Sequence, residues 1–226
     1  MMIYSWKDYE KEAVAIRRLI ARYQESEDKE LLEVACGTGK HAQYLKSDFD
    51  VLATDVNAEM LEVARRNIGG VVFKQADMVS LNLGKDFDVI ICLFSAIGYV
   101  RTYSNLKKTL ANFASHLKEG GVVIVEPWFT RSAYETGWPH LSTCGDENIK
   151  IARACVSRAR RSVSIMDMHY LIAEKDKDVK HIVDRHELGM FEPGKFLQFM
   201  AAAGLKAKFL KNGLMKGRGI YVGVKV

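Results

Sequence analysis

Apolar positions in the first half of the chain follow two alternating periodicities. A spacing of three and four residues over 8–24 places Ala13, Ile16 and Ile20 on one face and predicts an amphipathic helix. Continuous apolar runs, separated by further helical spacing, then occur at 31–36, 51–55, 71–75, 87–93 and 122–126. Such runs are typical of strands buried on both faces, and repeated strand–helix units predict a parallel sheet with helices on both sides.

The pattern changes after residue 126. Three strand-length segments follow at 148–157, 163–173 and 180–191 without a helix between them, and the charged runs at 158–161 and 174–178 are expected to be their turns. A helix at 194–203 and strands at 205–210 and 219–226 complete the chain. We therefore predict one α/β domain over 1–226, with a seven-stranded, mostly parallel sheet whose last strand is antiparallel. An antiparallel β insertion at 148–191 follows the fifth strand.

Composition narrows the functional classes. Hydrophobic residues make up 48% of the 226 residues and charged residues 27%, as in ordinary globular proteins. No apolar run approaches the ~20 residues that span a bilayer, and the charged helix close to Met1 predicts that there is no signal peptide. The four cysteines show no CxxC spacing. We expect a cytoplasmic protein without membrane association or a metal site, and the modest net charge of +5 predicts no nucleic-acid partner.

The most informative run is LLEVACGTGKH at residues 31–41. Its apolar strand turns through Gly37 and Gly39 into a helix that starts near Lys40, and glycines there let the backbone approach a ligand. The helix N-terminus leaves N–H groups free for an anionic group, while Glu33 can accept hydrogen bonds from an amine or a hydroxyl. This combination suits S-adenosylmethionine (SAM), which has an amino-acid head and a ribose.

Two other interpretations of this turn exist. Gly37, Gly39 and Ala42 also fit the fingerprint of dinucleotide-binding proteins, with Asp55 at the end of the next strand as the acid that binds the ribose. Alternatively, the glycines only make a tight turn between a strand and a helix.

Three features favour SAM over a dinucleotide. Glu33 lies four residues before Gly37, where a dinucleotide site usually has an apolar residue. Asp77 follows the third strand and can accept from the adenine amino group, while Met78 packs on the ring. The chain also ends in two strand-like runs instead of a further strand–helix unit. In a SAM site, Asp55 is expected to bind the ribose hydroxyls.

Further runs extend this interpretation over most of the chain: KDY at 7–9, ADM at 76–78, LFSAIGY at 93–99, GGVVIVEPW at 120–128, HY at 169–170 and GRGIYVGV at 217–224. With them, the chain resembles the SAM-dependent N,N-dimethyltransferases of nucleotide-linked amino sugars, as in desosamine and mycaminose biosynthesis. The resemblance implies a Rossmann-like class I methyltransferase that N-methylates a small nucleotide-linked sugar and releases S-adenosylhomocysteine. The chain departs from the family at Cys155 and Val156, where a serine–histidine pair is usual. The family also has a longer N-terminal segment with an active-site tyrosine, which we do not expect to find matched here.

The resemblance also implies roles for individual residues. Tyr99 occupies the position where the family has a histidine or tyrosine facing the sugar amine. Its hydroxyl is expected to orient the amine or relay its proton; the alternative is a loop tyrosine that only packs. The expected cofactor-binding residues are Tyr9, near the SAM carboxylate, and Glu33, Gly37, Gly39, Asp55, Asp77, Met78 and Leu93. The expected acceptor-binding residues are Trp128, Arg153, His169 and Arg218, where tryptophan offers an apolar plane and arginine a fork for phosphates.

The chemistry of methyl transfer agrees with what the sequence lacks. The sulfonium of SAM already activates the methyl carbon, so the enzyme needs alignment more than a strong base or a metal. After the fourth strand the chain has no Asp/Asn-Pro-Pro-aromatic run, which argues against methylation of DNA bases. Methylation of another small amine or hydroxyl, SAM binding without turnover, and RNA modification stay as alternatives.

Apolar residues occur on both faces of the predicted insertion. Met166, Met168 and Tyr170 share one face, and Val163 and Ile165 share the other. A short sheet of this kind needs cover on both sides. One face can cover the active site and the other can meet a second copy, so we predict a homodimer.

Overall fold

The computed structural model describes residues 2–226. Its strands are β1 (Glu30–Val34), β2 (Asp50–Asp55), β3 (Val72–Gln75), β4 (Phe87–Cys92), β5 (Leu117–Val125), β6 (Pro139–Gly145), β7 (Ile149–Val156), β8 (Arg158–Arg160), β9 (Val163–Glu174), β10 (Lys180–Gly189), β11 (Leu205–Leu210) and β12 (Ile220–Lys225). Its α-helices are α1 (Tyr9–Tyr23), α2 (Lys40–Leu45), α3 (Ala58–Asn67), α4 (Tyr103–Ser115) and α5 (Pro193–Ala202). Short 3-10 helices occur at Met2–Tyr4 and Ala96–Val100.

Seven strands form the central sheet in the order β11-β12-β5-β4-β1-β2-β3. The pairs among β1 to β5 are parallel, whereas β12 runs antiparallel to both β5 and β11. This confirms the predicted sheet with its antiparallel last strand. Every residue of β4 is buried because helices cover both faces, which explains why its sequence is a nearly continuous apolar run.

Helices cover both faces of the central sheet. α1, α2 and α3 pack on one face, where Ile16 of α1 and Leu61 of α3 belong to the buried core. α4 and α5 pack on the other face, where Phe113 and Phe196 are fully buried. No helix within residues 2–226 is long and apolar enough to cross a membrane.

A second, antiparallel sheet follows β5, in the order β10-β9-β7-β6, with β8 paired to β9. It begins at Pro139, so the insertion predicted at 148–191 starts too late. The sequence of β6, PHLSTCG, has no apolar alternation and gives no strand signal, yet β6 pairs with β7 along its whole length. β8 lies where a hairpin turn is predicted, and Arg161, with a φ of 55°, makes the turn instead.

The carboxyl ends of β1, β2, β4 and β5 meet at one edge of the central sheet. The 3-10 helix Ala96–Val100 follows β4 at this edge and contacts β10, so the second sheet lies beside it. In open α/β sheets, the crevice outside the carboxyl ends of the strands is where ligands bind.

Candidate active site

The turn after β1 has the left-handed backbone that its glycines predict. Gly37 and Gly39 have φ of 57° and 74°. A Cβ at Gly37 would meet only Met60, at an ordinary 3.6 Å, so one side of this backbone is open. A Cβ at Gly39 would lie 2.9 Å from Ile68 Cδ1 and 3.1 Å from Phe73, so Gly39 is needed for packing as well as for its φ.

Asp55 ties two of the loops at this edge together. Its Oδ2 accepts from the Gly37 amide at 2.7 Å, and its Oδ1 accepts from the Asn57 amide at 2.8 Å. The Ala76 amide in turn donates to the Asp55 carbonyl at 3.0 Å, which joins the loop after β3. Since a carboxylate oxygen can accept more than one hydrogen bond, Asp55 keeps capacity for a ligand hydroxyl.

Glu33 presents an unsatisfied oxygen at the same edge. The residue is 2% exposed, and its Oε2 has no hydrogen-bond partner among the described residues. Its Oε1 lies 3.7 Å from His41 Nδ1. An unpaired buried oxygen costs free energy unless a donor reaches it, so a ligand amine fits this position.

A buried network of charges lies beside Glu33, and the sequence patterns gave no sign of it. The Lys7 ammonium pairs with Glu12 Oε1, and the Lys7 side chain is 1% exposed. Glu12 Oε2 lies 2.7 Å from His41 Nε2. Tyr9 packs edge-on against His41, and burial, followed by the nearby Glu12, raises the pKa of Tyr9 to about 12. Tyr9 is therefore a neutral phenol that can donate to a carboxylate.

This network predicts a pH dependence of stability. Burial by itself lowers the pKa of His41, but its hydrogen bonds with Glu12 and Glu33 outweigh burial and raise the pKa to about 9. An unfolded histidine titrates near ~6.5, so the folded state binds the extra proton more tightly. The stabilisation is complete below about pH 6.5 and is lost as the pH rises through 9, a loss of about 3 kcal/mol in the free energy of unfolding.

Urea unfolding at a series of pH values checks this expectation. His41→Gln should remove most of the decline between pH 6.5 and 9, whereas His140→Gln, at an exposed position, should keep it. An equal decline in both variants would contradict a role for His41.

The remaining cofactor candidates lie on the loops after β3 and β4. Asp77 is exposed, and its Oδ1 accepts from the Val79 amide at 2.9 Å. Met78 is partly buried against the core, and Asn112 of α4 donates to its carbonyl at 3.3 Å. Leu93 is buried directly after β4. The sheet order places these loops at the same edge as the glycine turn.

The loop after β4 starts with a strained turn that the sequence did not reveal. Phe94 and Ser95 have φ of 52° and 61°, unusual for residues other than glycine. The Phe94 amide donates to Glu126 Oε2 at 2.6 Å, and the Ser95 hydroxyl donates to the Pro127 carbonyl at 2.6 Å. Burial raises the pKa of the Glu126 carboxyl, and its Oε1 has no partner among the residues described.

Arg218 completes the far side of this turn. Its Nη1 donates to the Ser95 hydroxyl at 2.8 Å, and its guanidinium lies 4.5 Å from the centroid of Trp128 and 4.8 Å from that of Phe129. Its buried Nε has no hydrogen-bond partner within the described chain. Burial lowers the pKa of Arg218 and the nearby Glu126 opposes this, so the guanidinium stays charged.

Trp128 and Arg153 connect the two sheets. The Trp128 indole donates to Ser164 of β9 at 2.9 Å. Arg153 of β7 donates to the Tyr4 hydroxyl at 3.4 Å, and the Tyr4 ring packs edge-on against Phe94. Tyr4 therefore lies in the crevice. The sequence does not show this placement, because Tyr4 and Arg153 are 149 residues apart along the chain.

His169 is not brought together with the other acceptor candidates. Arg153 pairs with Tyr170 across β7 and β9, so the neighbouring His169 points to the opposite face of the second sheet. There it is exposed and stacks on His181, with ring centroids 5.3 Å apart.

Tyr99 lies between the central sheet and the second sheet. Its side chain is 49% exposed, and its hydroxyl is 2.6 Å from His186 Nδ1. Partial burial, followed by the nearby Tyr4 and Asp184, raises the pKa of Tyr99 to about 12. Tyr99 is thus a neutral phenol with a hydrogen-bond partner on β10.

Known proteins share this arrangement. The chain is 34% identical over 219 residues to the dTDP-3-amino-3,4,6-trideoxy-alpha-D-glucopyranose N,N-dimethyltransferase of Streptomyces venezuelae. The aligned region covers 96% of this chain and 92% of that protein. It is 32% identical to the dTDP-3-amino-3,6-dideoxy-alpha-D-glucopyranose N,N-dimethyltransferase of Streptomyces fradiae, over 96% of this chain and 85% of that protein. The chain belongs to this family of N,N-dimethyltransferases.

Structural comparison agrees with this assignment. A family model described as a methyltransferase domain matches residues 31–121. The sugar N-methyltransferase KedS8 from a Streptoalloteichus species has a TM-score of 0.92 and 30% identity, with 98% of this chain and 90% of that chain covered. The enzyme is therefore a SAM-dependent N-methyltransferase with a Rossmann-like class I fold, as its sequence predicts.

The position of Asp55 predicts a measurable loss of cofactor affinity. Asp55→Ala removes an acceptor for the ribose hydroxyls and should weaken SAM binding by ~1–3 kcal/mol. Calorimetric titration with SAM measures this loss, and Asp50→Ala, at the exposed other end of β2, is the matched control. Unchanged affinity in Asp55→Ala would remove Asp55 from the ribose site.

Proposed function

We propose that this methyltransferase transfers the methyl group of SAM to the amino group of a small sugar linked to a nucleoside diphosphate. The observation that carries the proposal is Arg218, whose guanidinium lies over Trp128 and Phe129 with an unpaired, buried Nε among the described residues. A guanidinium fork fits the oxygens of a phosphate, and aromatic rings beside it fit the sugar or base. The relatives named above act on dTDP-linked amino sugars, which supports the same class of acceptor.

SAM, when bound, supplies a methyl carbon activated by its sulfonium. The unpaired Glu33 Oε2 suits the amino group of its methionine portion, and the neutral Tyr9 phenol suits the carboxylate. Asp55 suits the ribose hydroxyls and Asp77 the adenine amine. The remaining candidates, Gly37, Gly39, Met78 and Leu93, provide backbone and apolar surface along the same edge.

The acceptor lies, in this proposal, between the strained turn after β4 and the second sheet. Arg218 binds a phosphate, Arg153 offers a second cation, and Trp128 forms an apolar wall. Tyr99 directs the sugar amine through its hydroxyl. We leave His169 out of this site because its side chain points to the outer face of the second sheet.

Mass spectrometry tests the proposed reaction. The protein is incubated with SAM and a panel of dTDP-linked 3-amino and 4-amino sugars, with glycine and a free amino sugar as other amines. We expect one or two methyl groups on a nucleotide-linked sugar and S-adenosylhomocysteine in matching amount. Methylation of glycine or the free sugar alone would contradict the nucleotide-linked acceptor, and binding of SAM without any product would contradict turnover.

We also propose that the enzyme is a homodimer formed through the outer face of the second sheet. Leu141 and Val183 on one row, and Leu171 on the next, are exposed and share this face through cross-strand pairing. An exposed apolar patch of this kind typically marks an interface. The four cysteines are free thiols, which supports a reducing, cytoplasmic location.

Light scattering at micromolar concentration measures the assembly. We expect twice the chain mass of 25.5 kDa for the wild-type protein and the chain mass for Leu171→Glu. Val72→Glu, at an exposed apolar position on the edge strand β3, should stay dimeric. A wild-type mass of 25.5 kDa would rule out the dimer.

A further inference from the structure

N-methylation of an amine leaves a proton to be removed. The lone pair of the neutral nitrogen forms the N–C bond, and the C–S bond breaks with its electrons moving to sulfur, so the sulfonium becomes a neutral thioether. The product nitrogen now carries the positive charge and one proton more than the free amine. That proton must leave before the nitrogen has a lone pair for a second methyl group.

A line of three polar groups runs from the crevice to the surface of the second sheet. The Tyr99 hydroxyl lies 2.6 Å from His186 Nδ1, and His186 Nε2 lies 3.1 Å from Asp184 Oδ2. His186 and Asp184 are two residues apart on β10, so both side chains point to the same face as Tyr99. The His186 side chain is 19% exposed, and the Asp184 side chain behind it is 57% exposed and therefore open to water.

We propose that Tyr99, His186 and Asp184 form a proton relay that takes the amine proton to solvent. This inference rests on the proposed function, because it assigns a task to the acceptor end of that site. Tyr99 Oη accepts the proton from the nitrogen while its own proton passes to His186 Nδ1. His186 then releases its Nε2 proton toward Asp184 and water, so one proton leaves for each proton taken up. Exchange of the imidazole protons with water restores the Nε2–H tautomer before the next transfer. Tyr99 contacts the acceptor, whereas His186 and Asp184 act through Tyr99.

The hydrogen-bond partners require one tautomer of His186. If Nε2 is protonated and donates toward the Asp184 carboxylate, Nδ1 is free to accept from the Tyr99 hydroxyl. A carboxylate behind an imidazole also stabilises the imidazolium that forms for a moment when the proton arrives. Tyr99, which keeps its proton throughout the ordinary pH range, passes protons on and does not store the charge.

The surrounding charges allow this path. Tyr4, Tyr170 and Asp55 are the other titratable groups that act on Tyr99. On β9, the residues opposite His186 and Asp184 are Met166 and Met168, which carry no charge. The charged neighbours of His186 along β10, Arg185 and Glu187, point to the opposite face, where they pair with Asp167 and Arg101. Asp184 is thus the carboxylate within reach of the imidazole.

A merely structural tie between the two sheets is the competing explanation. The variant His186→Asn distinguishes the proton relay from a structural tie. The asparagine oxygen can still accept a hydrogen bond from Tyr99, but the amide cannot carry a proton. The relay predicts a fall in kcat of about tenfold to a hundredfold with KM for the acceptor nearly unchanged. The kcat of Tyr99→Phe should fall by a similar factor, while His140→Asn, at an exposed position on β6, should match the wild type.

Three further measurements identify a proton-transfer role. Asp184→Asn should lower kcat with KM for the acceptor nearly unchanged, because the imidazole loses the carboxylate toward which its Nε2 proton leaves. Added imidazole should restore part of the turnover of His186→Gly but not of Tyr99→Phe. Long-range proton–nitrogen NMR of the protein without ligands should show His186 protonated on Nε2 at pH 8.

The outcomes are distinct. Wild-type kcat in either His186→Asn or Asp184→Asn would overturn the relay while leaving the methyltransferase proposal in place. A His186 protonated on Nδ1 in the NMR experiment would do the same. A fall in kcat that is the same at every pH and is not rescued by imidazole would show a structural tie only. A wild-type enzyme that methylates no amino sugar would overturn the proposed function and the relay together.

Discussion

Replacing Arg218 with lysine is expected to raise the KM for a nucleotide-linked acceptor more than tenfold, equivalent to ~1.4 kcal/mol or more. The guanidinium binds phosphate oxygens through two parallel N–H donors, and a lysine ammonium cannot reproduce that geometry. Lysine also loses the contact of the guanidinium with the rings of Trp128 and Phe129 and its hydrogen bond to Ser95. SAM affinity should stay nearly unchanged, because the cofactor candidates lie at the carboxyl ends of β1 to β4 and, for Tyr9, at the start of α1.

Steady-state kinetics with the acceptor and calorimetry with SAM together check this prediction. Lys216→Ala is the matched control, since Lys216 is an exposed cation two residues away. It should leave both constants close to the wild-type values. Equal weakening of SAM and acceptor in Arg218→Lys would indicate a folding defect, and no change in either would remove Arg218 from the site.

The second large effect is expected on stability. Glu12→Gln should lower the free energy of unfolding by about 3–5 kcal/mol, because it leaves the buried Lys7 ammonium without its partner. Burial raises the pKa of Glu12, but hydrogen bonds with His41 and Lys7 outweigh burial and lower it, so Glu12 is ionised at neutral pH. The Glu12 carboxylate therefore pairs with two cations, Lys7 and His41.

Urea unfolding at pH 7 measures this loss. Glu10→Gln, two residues away in the first turn of the same helix and exposed, controls for the loss of an acidic side chain near the helix N-terminus. A difference between the two variants of less than about half a kcal/mol would show that Lys7 does not depend on Glu12. Lys7→Met combined with Glu12→Gln should lose less than the sum of the single changes, because the pair is then removed as a whole.

The local pattern of the sequence was sufficient for the central sheet and for β7, β9 and β10 of the second sheet, but not for β6 and β8. β4 and the second half of β5, residues 122–125, are nearly continuous apolar runs because both of their faces are buried, and such runs can be recognised without any tertiary information. β6 is mostly exposed and its side chains meet no continuous core, so its sequence has no reason to alternate. Its strand conformation comes from pairing with β7, which local pattern does not encode.

Within the site, too, local sequence pattern predicts some features, whereas contacts between distant segments create others. The glycine turn with Asp55 is visible in the sequence because its backbone demands glycine and its acid follows the next strand. The partnership of Tyr99 with His186 joins residues 87 positions apart, and that of His41 with Glu12 joins residues 29 apart. The run EPW at 126–128 was recognisable, yet the task of Glu126 was not, because it accepts a main-chain amide that any residue could supply.

The turn at Phe94 and Ser95 has a consequence for the whole catalytic cycle. Left-handed backbone costs roughly 1–2 kcal/mol at each residue with a Cβ, whereas glycine would adopt it freely. The same Cβ atoms narrow the range of alternative conformations, and Glu126 and Pro127 hold the turn from beneath. We therefore expect the turn to keep one shape whether or not an acceptor is bound. The enzyme meets each new sugar with a wall that is already preorganised, so the energy of acceptor binding need not be spent on rebuilding that wall.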